Sequence, residues 1–172
     1  ISHFKEVDIV INNAGVSLGK QSVIQTPWEE FEWIMNINLW GVINGSKIFL
    51  PYLMKQKEAS LVNVSSVFGL MGIADQTPYC TTKYAVRGFT ESLRMEMLEE
   101  NVNVISVHPG GIKTNIARNG RGWDHVEDKE KMIALFEKET LKHTPEKAAN
   151  IIISGIKKNK EIKLYPSKVP ES

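Results

Sequence analysis

Apolar residues along the chain fall into two alternating kinds of run. Short blocks rich in β-branched residues occur at Val7–Asn12, Leu61–Ser65, Asn103–His108 and Glu161–Tyr165, and each predicts a strand. The longer segments between them carry apolar residues at helical spacing. Thr26-Pro27-Trp28-Glu29 has a capping-box pattern with proline at the first helical position, so a helix is expected from there to about Asn36. A second helix is expected over Leu39–Gln56, with Ile43, Ile48, Leu50, Leu53 and Met54 as its apolar positions. Pro78–Glu99 predicts a long helix in which Val86, Phe89, Leu93 and Met97 recur on one side. Asp128–Leu141 reads as helical, and Thr144-Pro145-Glu146 caps a further helix to about Lys157. Asn115–Trp123, with Gly120 and Gly122, reads as a loop, and the end of the chain as a frayed tail. Trp28, Trp33 and Trp40 are expected to bury against neighbours. No internal repeat and no low-complexity segment interrupts the pattern.

Strands alternating with helices predict a parallel sheet of βαβ units. Such sheets bind ligands outside the carboxyl ends of their strands. The polar clusters of this chain fall just after a predicted strand or early in the next helix, which gathers them on one rim. Composition adds limits. At 172 residues the chain suits one domain able to bury about 70% of its unfolded surface. The net charge is +1, so no global field recruits nucleic acid or membrane. No run approaches the ~20 apolar residues of a transmembrane helix. The basic stretch Ile156–Lys160 suits a helix C-terminus, where lysines meet the dipole favourably. The single cysteine, Cys80, excludes an internal disulfide and fits a reducing compartment; it reads as a small space-filling residue. No pair of histidines has metal-ligand spacing, so no metal site is expected, and His108 reads as packed or hydrogen-bonded.

Candidate chemistry centres on Tyr79 and Lys83, four residues apart, with Ser66 upstream. Residues at i and i+4 share a helix face, so a phenol and an ammonium can meet over one substrate. A free tyrosine has a pKa of about 10, and a nearby cation is expected to lower it toward the range useful for acid–base work.

These residues keep ordered company. Asn12-Asn13-Ala14-Gly15 follows the first strand, Asn38 lies in Asn38-Leu39-Trp40-Gly41, Ser65 and Ser66 follow the second strand, and Pro109-Gly110-Gly111-Ile112-Lys113-Thr114 follows the third. The series resembles the short-chain dehydrogenase/reductase family at motif level from about Val7 to Thr114, and more loosely to Tyr165. One family feature is missing: no glycine-rich G-x-x-x-G-x-G turn lies near the start. The resemblance therefore implies an α/β fold forming the C-terminal part of a Rossmann-like doubly wound parallel sheet. It implies a single partial domain over 1–172, with the N-terminal βαβαβ half that cradles pyrophosphate absent.

The resemblance also implies roles. Tyr79 would be the general acid/base, and Lys83 would tune it and bind the nicotinamide ribose. Ser66 would hold the substrate oxygen, with Ser65 the competing candidate. Asn38 would support a water-linked proton relay, unless it is a cap or turn residue. Asn12, Ala14 and Gly15 would lie against adenosine and ribose, with the asparagines also bracing the sheet. Pro109, Gly110, Ile112 and Thr114 would flank the nicotinamide, and Gly111 would occupy a variable position. The implied activity is NAD(P)-dependent interconversion of a secondary alcohol and a ketone. NAD or NADP would serve as cofactor, and the substrate would be a small molecule. Substrate choice would be set by segments 15–25, 68–77 and 115–143, with Trp123 a candidate pocket wall and Met132, Ile133, Leu135 and Phe136 a candidate lid. A homo-oligomer through the helices near 39–56 and 78–99, and a cytoplasmic location, are further expectations. The alternative is a non-catalytic fragment that acts only as an assembly or binding module.

Overall fold

The computed structural model describes residues 6–123 and 126–158 and the backbone of 162–164. Strands β1 (Ile9–Asn12), β2 (Ala59–Val64), β3 (Val102–Pro109) and β4 (Ile162–Leu164) form one parallel sheet whose spatial order equals its chain order. The register pairs Val10 with Leu61, Leu61 with Val104 and Val107 with Ile162. The observed strands match the expected ones within two residues at the described ends. Glu161 and Tyr165, the expected bounds of the last strand, lie outside the described residues, as does the tail.

Both faces of the central strands are buried, as expected for a parallel sheet. Side chains alternate along a strand. Ala59, Leu61, Val102 and Val104 therefore point to one face, where they pack with Leu53 and Leu93 of helices α2 (Gly41–Leu53) and α3 (Thr77–Glu96). Val62, Ile105 and Val107 point to the other face and pack on Ala148, Ile152 and Ile156 of helix α5 (Pro145–Lys157). Fully burying each such Val, Leu or Ile stabilises by about 1.5–3 kcal/mol. β1 is treated differently on its two faces. Val10 packs on the α2 and α3 side, whereas Ile9 and Ile11 remain 52% and 47% exposed.

Four expectations are corrected. The helices expected to end at Asn36 and begin at Leu39 are one continuous rod: α1 (Trp28–Met35) passes into α2 through a π-helical turn, Asn36–Trp40, whose Asn36 carbonyl accepts from the Gly41 N–H. No helix breaker separates them, so the extra residue is absorbed by a wider turn. Thr26 does not cap α1; its hydroxyl donates to the Ser22 carbonyl, and Pro27 occupies the N-cap position. Trp28 and Trp40 do not bury; they lie 81% and 52% exposed, because the rod turns Ile34 and Val42 toward the core instead. Ile48 and Met54, expected on the apolar side of α2, are likewise exposed. The caps expected further on are present. Asp128 accepts from the Lys131 N–H at the start of α4 (Lys129–Thr140), and Thr144 accepts from the Lys147 N–H at the start of α5.

Candidate active site

The site begins where β2 leaves the sheet. The Ser65 N–H donates to the Val107 carbonyl at 2.8 Å. The next ladder bond in a parallel pair would need the amide of residue 109, which is proline and has no N–H. The chain therefore turns away at Ser66, whose φ of −166° and ψ of 165° are still extended, and enters a 3₁₀ turn over Val67–Gly69. The Ser66 hydroxyl oxygen caps that turn by accepting from the Phe68 N–H at 3.1 Å, which leaves its own proton for another acceptor. Ser65 points elsewhere: its hydroxyl donates to the Lys83 carbonyl at 2.8 Å and pins α3 to the end of β2. The structure thus separates the two serines into a brace and a free donor.

Helix α3 has proline in its first turn and brings Tyr79 and Lys83 over this turn. The Tyr79 phenol lies beside the Ser66 side chain, which pulls its pKa down, and its ring meets Phe68 edge-on at 6.2 Å. The Lys83 ammonium lies 5.5 Å from the centre of the Tyr79 ring and donates to the Val64 carbonyl at 3.2 Å. Among the described residues no carboxylate pairs with it, so two of its three donors remain. Burial pushes Lys83 down from 10.5 to about 8. Burial also pushes Tyr79 up to about 12, against the downward pull of the Ser66 side chain and with a small upward push from Cys80. In this state the phenol is not brought down toward neutrality. Desolvation of the phenolate outweighs the downward pull of Ser66. Tyr79 rests as a proton donor.

Asn38 is fully buried inside the π-helical turn. Its Oδ1 accepts from the Val16 N–H at 2.8 Å, and its Nδ2 donates to the Val16 carbonyl at 2.9 Å and to Thr82 Oγ1 at 3.3 Å. It is neither cap nor turn residue; it ties the segment after β1 to α3. Gly15 lies between Asn38 and Lys83, and a Cβ there would come within 3.4 Å of Asn38 Oδ1 and 3.5 Å of Lys83 Nζ. Asn12 braces the sheet, donating to Asn63 Oδ1 at 2.8 Å and Ser46 Oγ at 3.1 Å, while Ala14 is exposed at the rim. On the far side, Pro109 ends β3, Gly110 is half-buried, Ile112 pairs with His143 in an isolated parallel bridge, and Thr114 is exposed.

The three segments expected to set substrate choice interlock. The Gly19 N–H donates to the Arg121 carbonyl at 2.6 Å, and Gln21 Nε2 donates to the Gly122 carbonyl at 2.6 Å. Gln76 Nε2 reaches the Gly19 carbonyl at 3.2 Å. Trp123 donates from its indole to the Ala117 carbonyl at 3.2 Å. In α4, Ile133 is buried, so it is a core residue rather than part of a lid, while Met132, Leu135 and Phe136 are exposed.

Two residues carry more than the sequence suggested. Gly111 is buried, and a Cβ there would fall on the Thr140 carbonyl oxygen at the end of α4, so the position demands glycine rather than tolerating variation. His108 is fully buried against Ser106 and the Ser66 carbonyl. Among the described residues no three His, Cys, Asp or Glu side chains gather as a metal site, and no helix is long and apolar enough to cross a membrane.

Comparison with known proteins agrees with this fold. The family model described as short chain dehydrogenase matches residues 1–125. The chain is 42% identical over 160 residues to the Mycobacterium tuberculosis protein named "Putative oxidoreductase SadH", covering 92% of this chain and 57% of that protein. It is 34% identical over 146 residues to the 3-ketodihydrosphingosine reductase of Bacteroides thetaiotaomicron, covering 81% of this chain and 54% of that one. The crystal structure of a short-chain dehydrogenase/reductase from Burkholderia phymatum in complex with NAD superposes with a TM-score of 0.82 at 23% identity, over 95% of this chain and 62% of the other. The chain thus spans little more than half the length of the curated relatives it matches.

Proposed function

The chain belongs to the short-chain dehydrogenase family, and on that premise we propose that it carries the catalytic residues of an NAD(P)-dependent oxidoreductase that interconverts a secondary alcohol and a ketone. The observation that carries the reading is the convergence of Ser66, Tyr79 and Lys83 at the end of β2, with the two serines divided between bracing and donation.

In the direction of reduction, Tyr79 gives its phenolic proton to the carbonyl oxygen, and Ser66 donates a hydrogen bond to that same oxygen. The nicotinamide, when bound, supplies or accepts the hydride. Oxidation is the reverse: Tyr79 must first release its proton, and as the phenolate it then takes the proton from the alcohol. Burial that keeps Tyr79 protonated at rest suits the donor role, and a polar substrate oxygen beside it replaces part of the solvation lost. Lys83, with two free donors and no carboxylate partner, fits a pair of ribose hydroxyls. Asn12, Ala14 and Gly15 form the approach to the nucleoside. Gly15 lies beside Asn38 and Lys83, where a Cβ would be in ordinary contact with both. Pro109, Gly110, Ile112 and Thr114 flank the nicotinamide, and Asn38 supports proton supply to Lys83 by fixing the segment beside it.

The domain is a single Rossmann-like unit, and its substrate is a small molecule with an apolar portion lying against Met132, Leu135 and Phe136. Oligomerisation through α2 and α3 and a cytoplasmic location belong to the same proposal. A second reading, an assembly or binding module without turnover, is favoured by one observation. Among the described residues, Ile9 and Ile11 present an uncovered apolar face on β1, which lies at the sheet edge. Calorimetric titration of the folded chain with NADH and with NADPH separates the two. Micromolar binding supports the oxidoreductase reading for the chain itself; a folded chain that binds neither nucleotide supports the module.

A further inference from the structure

Ser66 meets Tyr79 only if the backbone just past β2 is held in place, and an imidazole holds it. His108 lies on β3 with no exposed surface, on the same face as Ser106 two residues earlier. One ring nitrogen, Nε2, is 2.9 Å from Ser106 Oγ; the other, Nδ1, is 3.2 Å from the Ser66 carbonyl oxygen. A carbonyl oxygen only accepts, so Nδ1 carries the proton, and a neutral ring then accepts from the Ser106 hydroxyl at Nε2. The Ser66 carbonyl contact requires a proton on Nδ1.

This contact occurs where the sheet has no backbone bond to offer. Pro109 ends the ladder at Ser65, and past it the Ser66 carbonyl is held by the Gly69 N–H at 2.9 Å and the His108 ring. The Gly69 bond lies inside the 3₁₀ turn and moves with it. The His108 bond crosses from β3 and fixes the turn relative to the sheet. The same turn carries the Ser66 hydroxyl that reaches Tyr79 and the Phe68 ring that packs on Tyr79.

We propose that His108 is a positioning residue for Ser66: its Nδ1–H holds the Ser66 carbonyl to β3 and so aims the Ser66 hydroxyl at Tyr79 and the substrate oxygen. This rests on the reading in which Ser66 and Tyr79 handle the substrate proton. A histidine that merely fills space needs no particular tautomer, and either polar replacement of similar size serves it equally. A positioning histidine needs a donor on the Nδ1 side.

Asparagine carries its amide nitrogen where Nδ1 lies, and glutamine where Nε2 lies. The test compares His108→Asn and His108→Gln in the full-length protein, with Ser66→Ala and Tyr79→Phe as controls. His108→Asn should keep kcat within about threefold of the parent. His108→Gln should lose about tenfold or more in kcat with KM within about twofold, because misplacing a reacting group lowers the rate more than the affinity. Equal kcat values for the Asn and Gln variants, or losses that track melting temperature, would overturn the proposal. If Tyr79→Phe and Ser66→Ala both retain parental kcat, the proton-transfer reading itself fails. A readout without turnover is the ¹⁵N spectrum of the His108 ring in this chain. The Nδ1–H tautomer is expected, and the Nε2–H tautomer would overturn the proposal, since a bare Nδ1 cannot hold a carbonyl.

Discussion

Replacing Lys83 by methionine should make the protein more stable at neutral pH while abolishing its chemistry. Lys83 is 4% exposed and its pKa falls from 10.5 to about 8. Desolvation is the cause, so the charged form is disfavoured by folding. Below pH 8 the amine is charged in both folded and unfolded chains, and the full penalty is present. At about 1.4 kcal/mol per pH unit, that penalty is roughly 3 kcal/mol. As pH rises above 8 the folded chain sheds the proton first, and the penalty fades until the unfolded amine also loses its proton near 10.5. At pH 9.5 about 1.4 kcal/mol of it remains. Methionine removes the charge but leaves the Val64 carbonyl without its Lys83 donor, which costs about 1–2 kcal/mol. Lys83→Met should therefore gain about 2 kcal/mol at pH 7 and close to nothing at pH 9.5. Urea denaturation followed by circular dichroism at the two pH values reads this directly. Both lie below pH 10, where Tyr79 begins to act with the opposite sign, its folded pKa being raised to about 12. A variant less stable than the parent at pH 7, or a gap that does not narrow by pH 9.5, would refute the reasoning.

Other outcomes follow from the packing. Gly111→Ala should cost about 1–3 kcal/mol, the usual range for overpacking, because the new methyl meets the Thr140 carbonyl; a melting temperature equal to the parent's would contradict it. Asn63→Leu should cost on the order of 2–3 kcal/mol, since Asn63 Oδ1 accepts from Asn12 and its Nδ2 donates to Thr90 at 3.1 Å in the core. An unchanged denaturation midpoint would count against that network. Met132→Ala with Phe136→Ala should lower kcat/KM for long-chain ketones relative to short ones by roughly tenfold; an unaltered ratio would remove α4 from the substrate site.

Much of the sheet and the grouping of Ser66, Tyr79 and Lys83 is legible in the sequence, because both rest on short-range patterns. β-branched runs gave the strands, and the i, i+4 spacing put Tyr79 and Lys83 on one helical face. The joined α1–α2 rod was not legible, because a π-helical turn shifts hydrogen bonding by one residue without any breaker in the sequence. The exposure of Trp28 and Trp40 was misread because apolar size says nothing about which side of a rod faces the sheet. The net direction of the Tyr79 pKa was not legible for a related reason. Spacing reports that an ammonium is near, but the balance between its attraction and burial depends on enclosure by residues distant in sequence. His108 and Gly111 acquire meaning only through Ser66 and Thr140, contacts that span dozens of residues in one case and an entire helix in the other.

The most direct test of the central claim is the rate of ketone reduction by Tyr79→Phe in the full-length protein, with nucleotide binding followed by fluorescence. The account predicts that nucleotide affinity stays within about threefold while kcat falls by about a hundredfold or more, the range expected for losing a general acid. Near-parental kcat in a variant that still binds the nucleotide would contradict it.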